Sequence, residues 1–190
     1  MDDDADLMRR IAQGDEAAFR ALVERHETSA YNYFLRLTRV PEDAEDLTQE
    51  LFVAVFRAAR SYRPDAPFTA YLFRIASNLA TSHLRKRKLR TMPSIDEMAE
   101  GGVDLPSRRH EDDPVASFEG REMKRRYEEA FDRLPHDWRG ALELRVGREL
   151  SYAEIAVAMG KSVSAVESML FRARERIAGA MKIKKEELIP

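Results

Sequence analysis

Apolar positions recur at steps of three and four through several separate runs of this chain, and each run is bounded by capping or turn residues, so the pattern predicts helices. The sharpest boundaries enclose Ser151 to Ile177. Ser151 followed by Glu154 is a capping box: the serine hydroxyl accepts from an orphan backbone N–H, and the glutamate reaches back to the serine's own N–H. A short helix therefore starts at Ser151, turns Ile155, Ala158 and Met159 inward, and ends at Gly160, which is placed for the left-handed conformation. Ser162 caps a second helix, whose Val163, Val166, Leu170, Ala173 and Ile177 gather in one inward arc. Opposite that arc lie Ser164, Ser168 and Phe171, with Glu167 at one edge and Arg172 and Arg176 at another. An isolated surface aromatic would account for Phe171 alone. Short polar side chains and an aromatic between flanking arginines suit a recognition helix that meets base edges while the arginines hold phosphates. The two helices read as a helix-turn-helix.

Upstream, a short acidic lead precedes Asp15 and Glu16, which open a long helix with Phe19, Leu22, Val23, His26, Ala30, Tyr33 and Leu37 as its core stripe. His26 reads there as a packed core histidine. Pro41, followed by Glu42 and Asp43, makes a good first turn for the next helix, with acids at the positive end of its dipole. That helix buries Ala44, Leu47, Leu51, Val55 and Ala58, and shows Gln49, Phe52, Val53 and Phe56 on the reverse, with Asp46, Glu50 and Arg57 along one flank. Apolar on both sides, it is either the middle helix of a bundle or a docking surface.

Residues 61–67, with two prolines and an aspartate, predict a loop. The following helix places Phe68, Leu72, Ile75, Leu79 and His83 on its inner arc, and Tyr71, Arg74, Asn78, Thr81, Ser82 and Arg85 in an outer stripe that runs into Lys86, Arg87 and Lys88. A charge run is usually a solvated helix end. Continuous with aromatic and amide groups, it also suits a single-stranded or partly melted nucleic acid. Residues 91–118 hold Pro93, Pro106, Pro114 and a Gly-Gly pair without helical period, and predict a flexible acidic linker. From Glu119 the apolar period returns through Met123, Tyr127, Ala130, Phe131, Leu134, Trp138, Leu142 and Val146, with Trp138 as a core anchor and residues 185–190 as a tail. The expected fold is all-α: a helical bundle over 1–90 and a helix-turn-helix domain over 119–184.

Composition narrows the function. At 190 residues, 44% hydrophobic and 35% charged, two small domains are the expected size. With no cysteine there is neither a disulfide framework nor a cysteine-zinc site. The acidic start lacks the features of a signal peptide, and no apolar run approaches the roughly 20 residues that span a membrane, so membrane insertion is not expected and the cytoplasm is. The net charge of −2 hides a segregation that matters more than its average: residues 1–60 carry 8 basic and 13 acidic side chains, 61–90 carry 7 and 1, 91–120 carry 2 and 8, and 121–190 carry 15 and 12. No Ser/His/Asp arrangement, phosphate loop or metal cluster stands in the pattern, so neither catalysis nor a cofactor is expected.

The stretch preceding the helix-turn-helix carries a more specific signal. Leu134-Pro135, Ala141 to Arg145 and Arg172-Ala173-Arg174, in that order around the helix-turn-helix, resemble the fourth conserved region of bacterial sigma factors of the extracytoplasmic-function group. Residues 44–52, AEDLTQELF, resemble the sigma-factor segment that grips the coiled coil of the polymerase's largest subunit, which makes Asp46, Gln49 and Glu50 candidate docking residues. Residues 68–88 are similar to the segment that reads and opens the −10 element, where a base of the non-template strand is flipped into a pocket. The matching positions are Arg63, Asp65, Phe68, Tyr71, Arg74 and Asn78, joined by Ser82, Arg85, Lys86 and Arg87. By the same likeness Ser164, Glu167, Ser168, Phe171, Arg172 and Arg176 face the −35 element, and the linker threads the RNA exit path.

The resemblance implies a sigma factor that binds core RNA polymerase and promoter DNA, assists melting, answers to an anti-sigma factor and performs no covalent chemistry itself. Two departures stand out. Tyr71 occupies a position where relatives often carry tryptophan, and Glu167 and Met169 stand where lysine or arginine is usual. A free-standing helix-turn-helix regulator would leave the first 90 residues without a role, and a sigma mimic that only sequesters an anti-sigma factor would not need the basic helix.

Overall fold

The structure is a computed structural model that describes residues 3–91 and 118–181; the interior of the expected linker and the tail lie outside the described residues. These residues form eight α-helices and a 3-10 turn, with no strand among them. They divide into two compact units, one of residues 3–63 and 75–91, the other of 64–74 and 118–181.

The first unit begins with a helix where the sequence suggested only an acidic lead. Helix α1 spans Asp3–Ala12 and buries Leu7, Met8 and Ile11. Their spacing is helical, but three apolar residues among five charged ones are a weak signal in so short a run. Three polar contacts fasten α1 to the next helix: buried Asp4 meets Arg25 and, at 2.9 Å, His26 Nε2, while Asp3 meets Arg25 at 2.7 Å. His26 is thus a core histidine, as its place in the stripe predicts, and its polar partner is that buried acid.

Helix α2, Glu16–Thr38, starts where expected. Asp15 caps it by accepting from the Ala18 N–H at 3.0 Å, and Arg10 holds the same carboxylate at 2.8 Å. The Ala18 bond first, then Arg10, depresses the carboxyl below the usual range. The helix ends on Arg39, a non-glycine residue at φ 61°, and Thr38 braces that turn: its hydroxyl donates to the Phe34 and Val40 carbonyls.

Helix α3, Pro41–Ala58, has its proline at the first helical position. Ala44, Leu47, Leu51 and Val55 are buried as expected, together with Thr48 and Phe52. Phe52 is therefore core and not part of the reverse face, while Ala58 is only half-buried. The 80° between Phe52 and Ala44 around a helix leaves Phe52 within reach of the core, so the buried arc is wide enough to hold a large ring. Leu51 has no exposed surface, and Leu51→Ala is expected to lower unfolding free energy by about 2–5 kcal/mol, read by denaturant titration.

After a 3-10 turn at Ala59–Ser61, helix α4 runs Phe68–Thr91. Its buried residues are Phe68, Ala70, Leu72, Phe73, Ala76, Ser77 and Ala80, so the inner arc is rotated from the one read in the sequence, and Ile75, Leu79 and His83 are only half-buried. Small residues set that rotation. Ala76 and Ala80 are fully buried, and Ser77 Oγ meets the buried Tyr33 hydroxyl at 3.0 Å, which ties α4 to α2. Volume and a polar lock outweigh the count of large apolar residues on which the sequence reading rested.

In the second unit, α5 (Phe118–Asp132), α6 (His136–Val146) and α7 (Tyr152–Met159) all pack on α8 (Val163–Met181). Buried Phe131, Leu134, Leu142, Leu144, Ile155, Val166, Leu170, Ala173 and Ile177 form its core. Three expected core positions are exposed: Met123 on α5, Val146 at the end of α6 and Val163 in the first turn of α8. Val146 and Val163 sit at helix ends, where a helix face outruns its partner. On α5, Glu122 bonds Arg125 and Arg126, which hold its carboxyl down to about 2.

Candidate nucleic-acid interface

The helix-turn-helix forms as its caps dictate. Both halves of the capping box are made: Ser151 Oγ accepts from the Glu154 N–H, and the Glu154 carboxylate accepts from the Ser151 N–H at 2.8 Å. Gly160 takes φ 61°, and the Lys161 N–H reaches back to the Ala156 carbonyl at 3.0 Å, closing α7. Ser162 caps α8 by accepting from the Ala165 N–H at 3.2 Å. With one reciprocal cap and a forced glycine turn, the angle between α7 and α8 is set by local chemistry. Ser151→Ala is expected to cost about 0.5–2 kcal/mol, and Ser151→Gly less, measured by thermal melting of the two variants.

On α8, Val166, Leu170, Ala173 and Ile177 face the core, and Ser164, Glu167, Ser168, Phe171, Arg172 and Arg176 are all exposed. Phe171 keeps half its surface open to solvent. Ser164 is held through its hydroxyl, 3.2 Å from that of Ser162. Arg176 lies over the Trp138 ring at 5.0 Å, so half-buried Trp138 acts as a platform for a recognition-helix arginine as well as an anchor. Lys161, in the turn, pairs with Asp137 at 2.9 Å. Glu167 makes no hydrogen bond or ion pair among the described residues, so neither Lys161 nor Arg174 neutralises it.

On α4, the corrected rotation sharpens the outer stripe. With Leu72, Phe73, Ala76, Ser77 and Ala80 inward, the opposite face centres on Asn78, with Tyr71, Arg74, Ser82 and Arg85 beside it. Arg74, Asn78, Thr81, Arg85 and Lys86 are exposed, and Tyr71 and Ser82 are half-buried. The Arg74 guanidinium sits 5.4 Å from the centre of the Tyr71 ring, pairing a cation with a flat stacking surface. Burial pushes the Tyr71 phenol up, against a smaller downward pull from Arg74, so it stays a neutral hydrogen-bonding group at physiological pH. Phe68 lies where its place on the inner arc predicts. It is fully buried, with its ring 6.1 Å from that of Tyr71, so it supports the stripe from below instead of offering a face. Arg63 and Asp65 are exposed in the loop, with Arg63 donating to the Tyr62 carbonyl. Arg87, unlike Arg85 and Lys86, is half-buried and turned toward Asp43.

On α3, Asp46, Gln49 and Glu50 are exposed, and so are Val53 and Phe56 beside them. Phe56 packs edge-on against Phe19 with ring centroids 5.2 Å apart, which stiffens an apolar patch next to the polar flank. Val53 and Phe56 were legible as outward apolar residues beside that polar flank.

Two helical units, one closed by a helix-turn-helix and the other bearing an aromatic, amide and basic stripe, define a DNA-binding protein of the all-helical class. Residues 22–90 match the family model for Sigma-70 region 2, and residues 124–177 match that for Sigma-70, region 4. The chain is 33% identical to the RNA polymerase sigma-H factor of Pseudomonas aeruginosa over 182 residues, covering 94% of each chain. It is 37% identical to the ECF RNA polymerase sigma-E factor of Escherichia coli over 178 residues, covering 90% of each. Among solved structures it is similar to CnrH in complex with the cytosolic domain of CnrY, with a TM-score of 0.68 and 26% identity over 94% of this chain and 97% of that one. The fold is also that of the sigma factor RpoE of Bartonella quintana, solved with the anti-sigma factor NepR, with a TM-score of 0.66 and 22% identity over 87% of this chain and 98% of that one. The chain belongs to the sigma-70 family, in its extracytoplasmic-function group. It is a transcription initiation factor that directs RNA polymerase to promoters and leaves the covalent chemistry to the polymerase.

Proposed function

We propose that the work is divided among three helix faces: α3 docks core polymerase through Asp46, Gln49 and Glu50, the outer stripe of α4 engages and holds open the −10 element, and α8 reads the −35 element. The observation that carries this reading is the register of α4, in which Tyr71, Arg74, Asn78, Ser82 and Arg85 share one outer face, with Arg74, Asn78 and Arg85 exposed on it. A melted strand needs flat surfaces for unstacked bases and cations for phosphates, and that face supplies both at intervals of one helical turn. Tyr71 serves as the stacking surface with Arg74 as its cation, and Asn78 offers an amide for a base edge. Ser164, Ser168 and Phe171 are the base-facing side chains of α8, with Arg172 and Arg176 on phosphates.

The apolar pair Val53 and Phe56 extends the docking face beyond its acids. Such a mixed face also suits an anti-sigma factor, the class of protein we assign as the controlling partner. The factor acts in the cytoplasm; no helix among the described residues is long and apolar enough to cross a membrane.

Run-off transcription with purified core polymerase tests the division. The expected result is promoter-specific transcript that is lost with Tyr71→Ala plus Arg74→Ala, with core binding retained. Transcript undiminished by that pair would remove the α4 stripe from strand opening, and a factor that binds core polymerase without directing any transcript would favour the mimic.

A further inference from the structure

In the sequence, Arg85, Lys86 and Arg87 are three equivalent members of one basic run. The structure separates them. Arg85 and Lys86 are exposed and form no ion pair among the described residues. Arg87 points elsewhere: its Nη1 lies 3.6 Å from Asp43 Oδ2 and donates to the Thr38 carbonyl at 3.4 Å. One turn earlier on α4, His83 Nε2 lies 3.1 Å from the same Asp43 oxygen, close but without the alignment of a hydrogen bond. The side chains of Asp43, His83 and Arg87 are all under a third exposed, at 28%, 29% and 31%.

The helical period explains the separation. Arg85 continues the outer stripe at steps of seven and three from Asn78 and Ser82, whereas Arg87 stands seven after Ala80 and four after His83, on the arc that packs inward. There it bridges two negative groups contributed by two other helices. Thr38 is the last residue of α2, where carbonyls lack intrahelical partners, and Asp43 is in the first turn of α3. Thr38 is itself fixed, because its hydroxyl spans the turn between the Phe34 and Val40 carbonyls. The end of α2, the start of α3 and the basic half of α4 therefore converge on one partly buried charge cluster. Asp43 also lies on the helix that carries Asp46, one position short of a turn away.

We propose that Asp43, His83 and Arg87 are positioning residues that fix the rotation of α4 about its own axis, so that the stripe from Tyr71 to Arg85 faces the melted strand, and that Arg87 holds no phosphate. This rests on the reading of the stripe given above. The helix that docks polymerase and the helix that holds DNA are then tied by a side-chain cluster, not by backbone alone.

The salt dependence of holoenzyme binding to a single-stranded non-template −10 oligonucleotide separates a phosphate contact from a positioning contact. Arg85→Ala and Lys86→Ala are each expected to lower the slope of log K against log salt by about 0.7, the value for one released phosphate contact on a single strand. Arg87→Ala is expected to leave the slope unchanged while reducing affinity several-fold at every salt concentration. Asp43→Asn, which preserves volume, is expected to give the same loss, and the Asp43→Asn/Arg87→Ala double variant no more than either alone, since the two residues act as one unit. Core-polymerase binding and the circular dichroism of all variants at the assay temperature should match the parent, which excludes simple unfolding. A slope lowered by Arg87→Ala as much as by Arg85→Ala would make Arg87 a phosphate ligand and overturn the proposal. So would unchanged affinity in both Arg87→Ala and Asp43→Asn, or losses that add in the double variant. If Arg85→Ala and Lys86→Ala also left binding untouched, the reading of the stripe itself would fall.

Discussion

Changing Asp46, Gln49 and Glu50 to Arg, Ala and Arg is expected to abolish binding to core polymerase while leaving the fold intact. All three are exposed on α3, so the substitutions should move unfolding free energy by no more than about 0.5 kcal/mol each, the range of surface changes. The interface, in contrast, loses two acids and gains two cations. Like-charge juxtaposition and unpaired polar groups at a contact cost several kcal/mol, and a loss of about 4 kcal/mol lowers affinity roughly a thousandfold. Val53→Arg is expected to weaken binding through the adjoining apolar patch, and Phe56→Ala to do so with a small loss of packing against Phe19. Co-purification with core polymerase and a denaturation curve on the same samples give the two readings. Retained co-purification in the triple variant would take this face out of the docking account.

The effects that reach across helices divide the legible part of this molecule from the rest. The caps and turn of the helix-turn-helix could be read because each determinant is local: a serine and a glutamate three residues apart, a glycine at a forced φ, and one serine at the next start. The start of α2 at Asp15 and of α3 at Pro41 follow from the same kind of signal. Rotation of a helix is not local. Counting large apolar residues placed the inner face of α4 on Ile75 and Leu79, yet the helix turns toward Ala76, Ser77 and Ala80, where Ser77 meets the buried Tyr33 hydroxyl of α2. The same rotation decides which of three adjacent basic residues faces outward, and a charge count along the chain cannot divide Arg85 from Arg87. Helix α1 escaped for a related reason. Its buried acid meets His26 and Arg25, more than twenty positions away.

The recognition helix offers the most discriminating expectation about specificity. Glu167 stands on the exposed face of α8, beside Ser168 and one turn from Phe171, and no cation among the described residues neutralises it. A plain surface role for this acid would be a pair with Arg174 or Lys161, but neither pairs with it and Lys161 is held by Asp137 at 2.9 Å. An unpaired carboxylate facing DNA costs phosphate attraction, so its use lies in accepting a hydrogen bond, and cytosine N4 is the donor that carboxylates favour in the major groove. Glu167→Gln should accordingly relax preference at one base pair of the −35 element by roughly 1–3 kcal/mol, with little change at the others. Glu167→Arg should raise affinity for unrelated DNA and steepen the salt slope by about one unit, because it adds a phosphate contact where an acid had been. Binding of the parent and both variants to a −35 library at two salt concentrations measures both effects at once. Identical base preferences in the three proteins would leave Glu167 outside the readout, and a steeper slope without altered preference would show that it touches only the backbone.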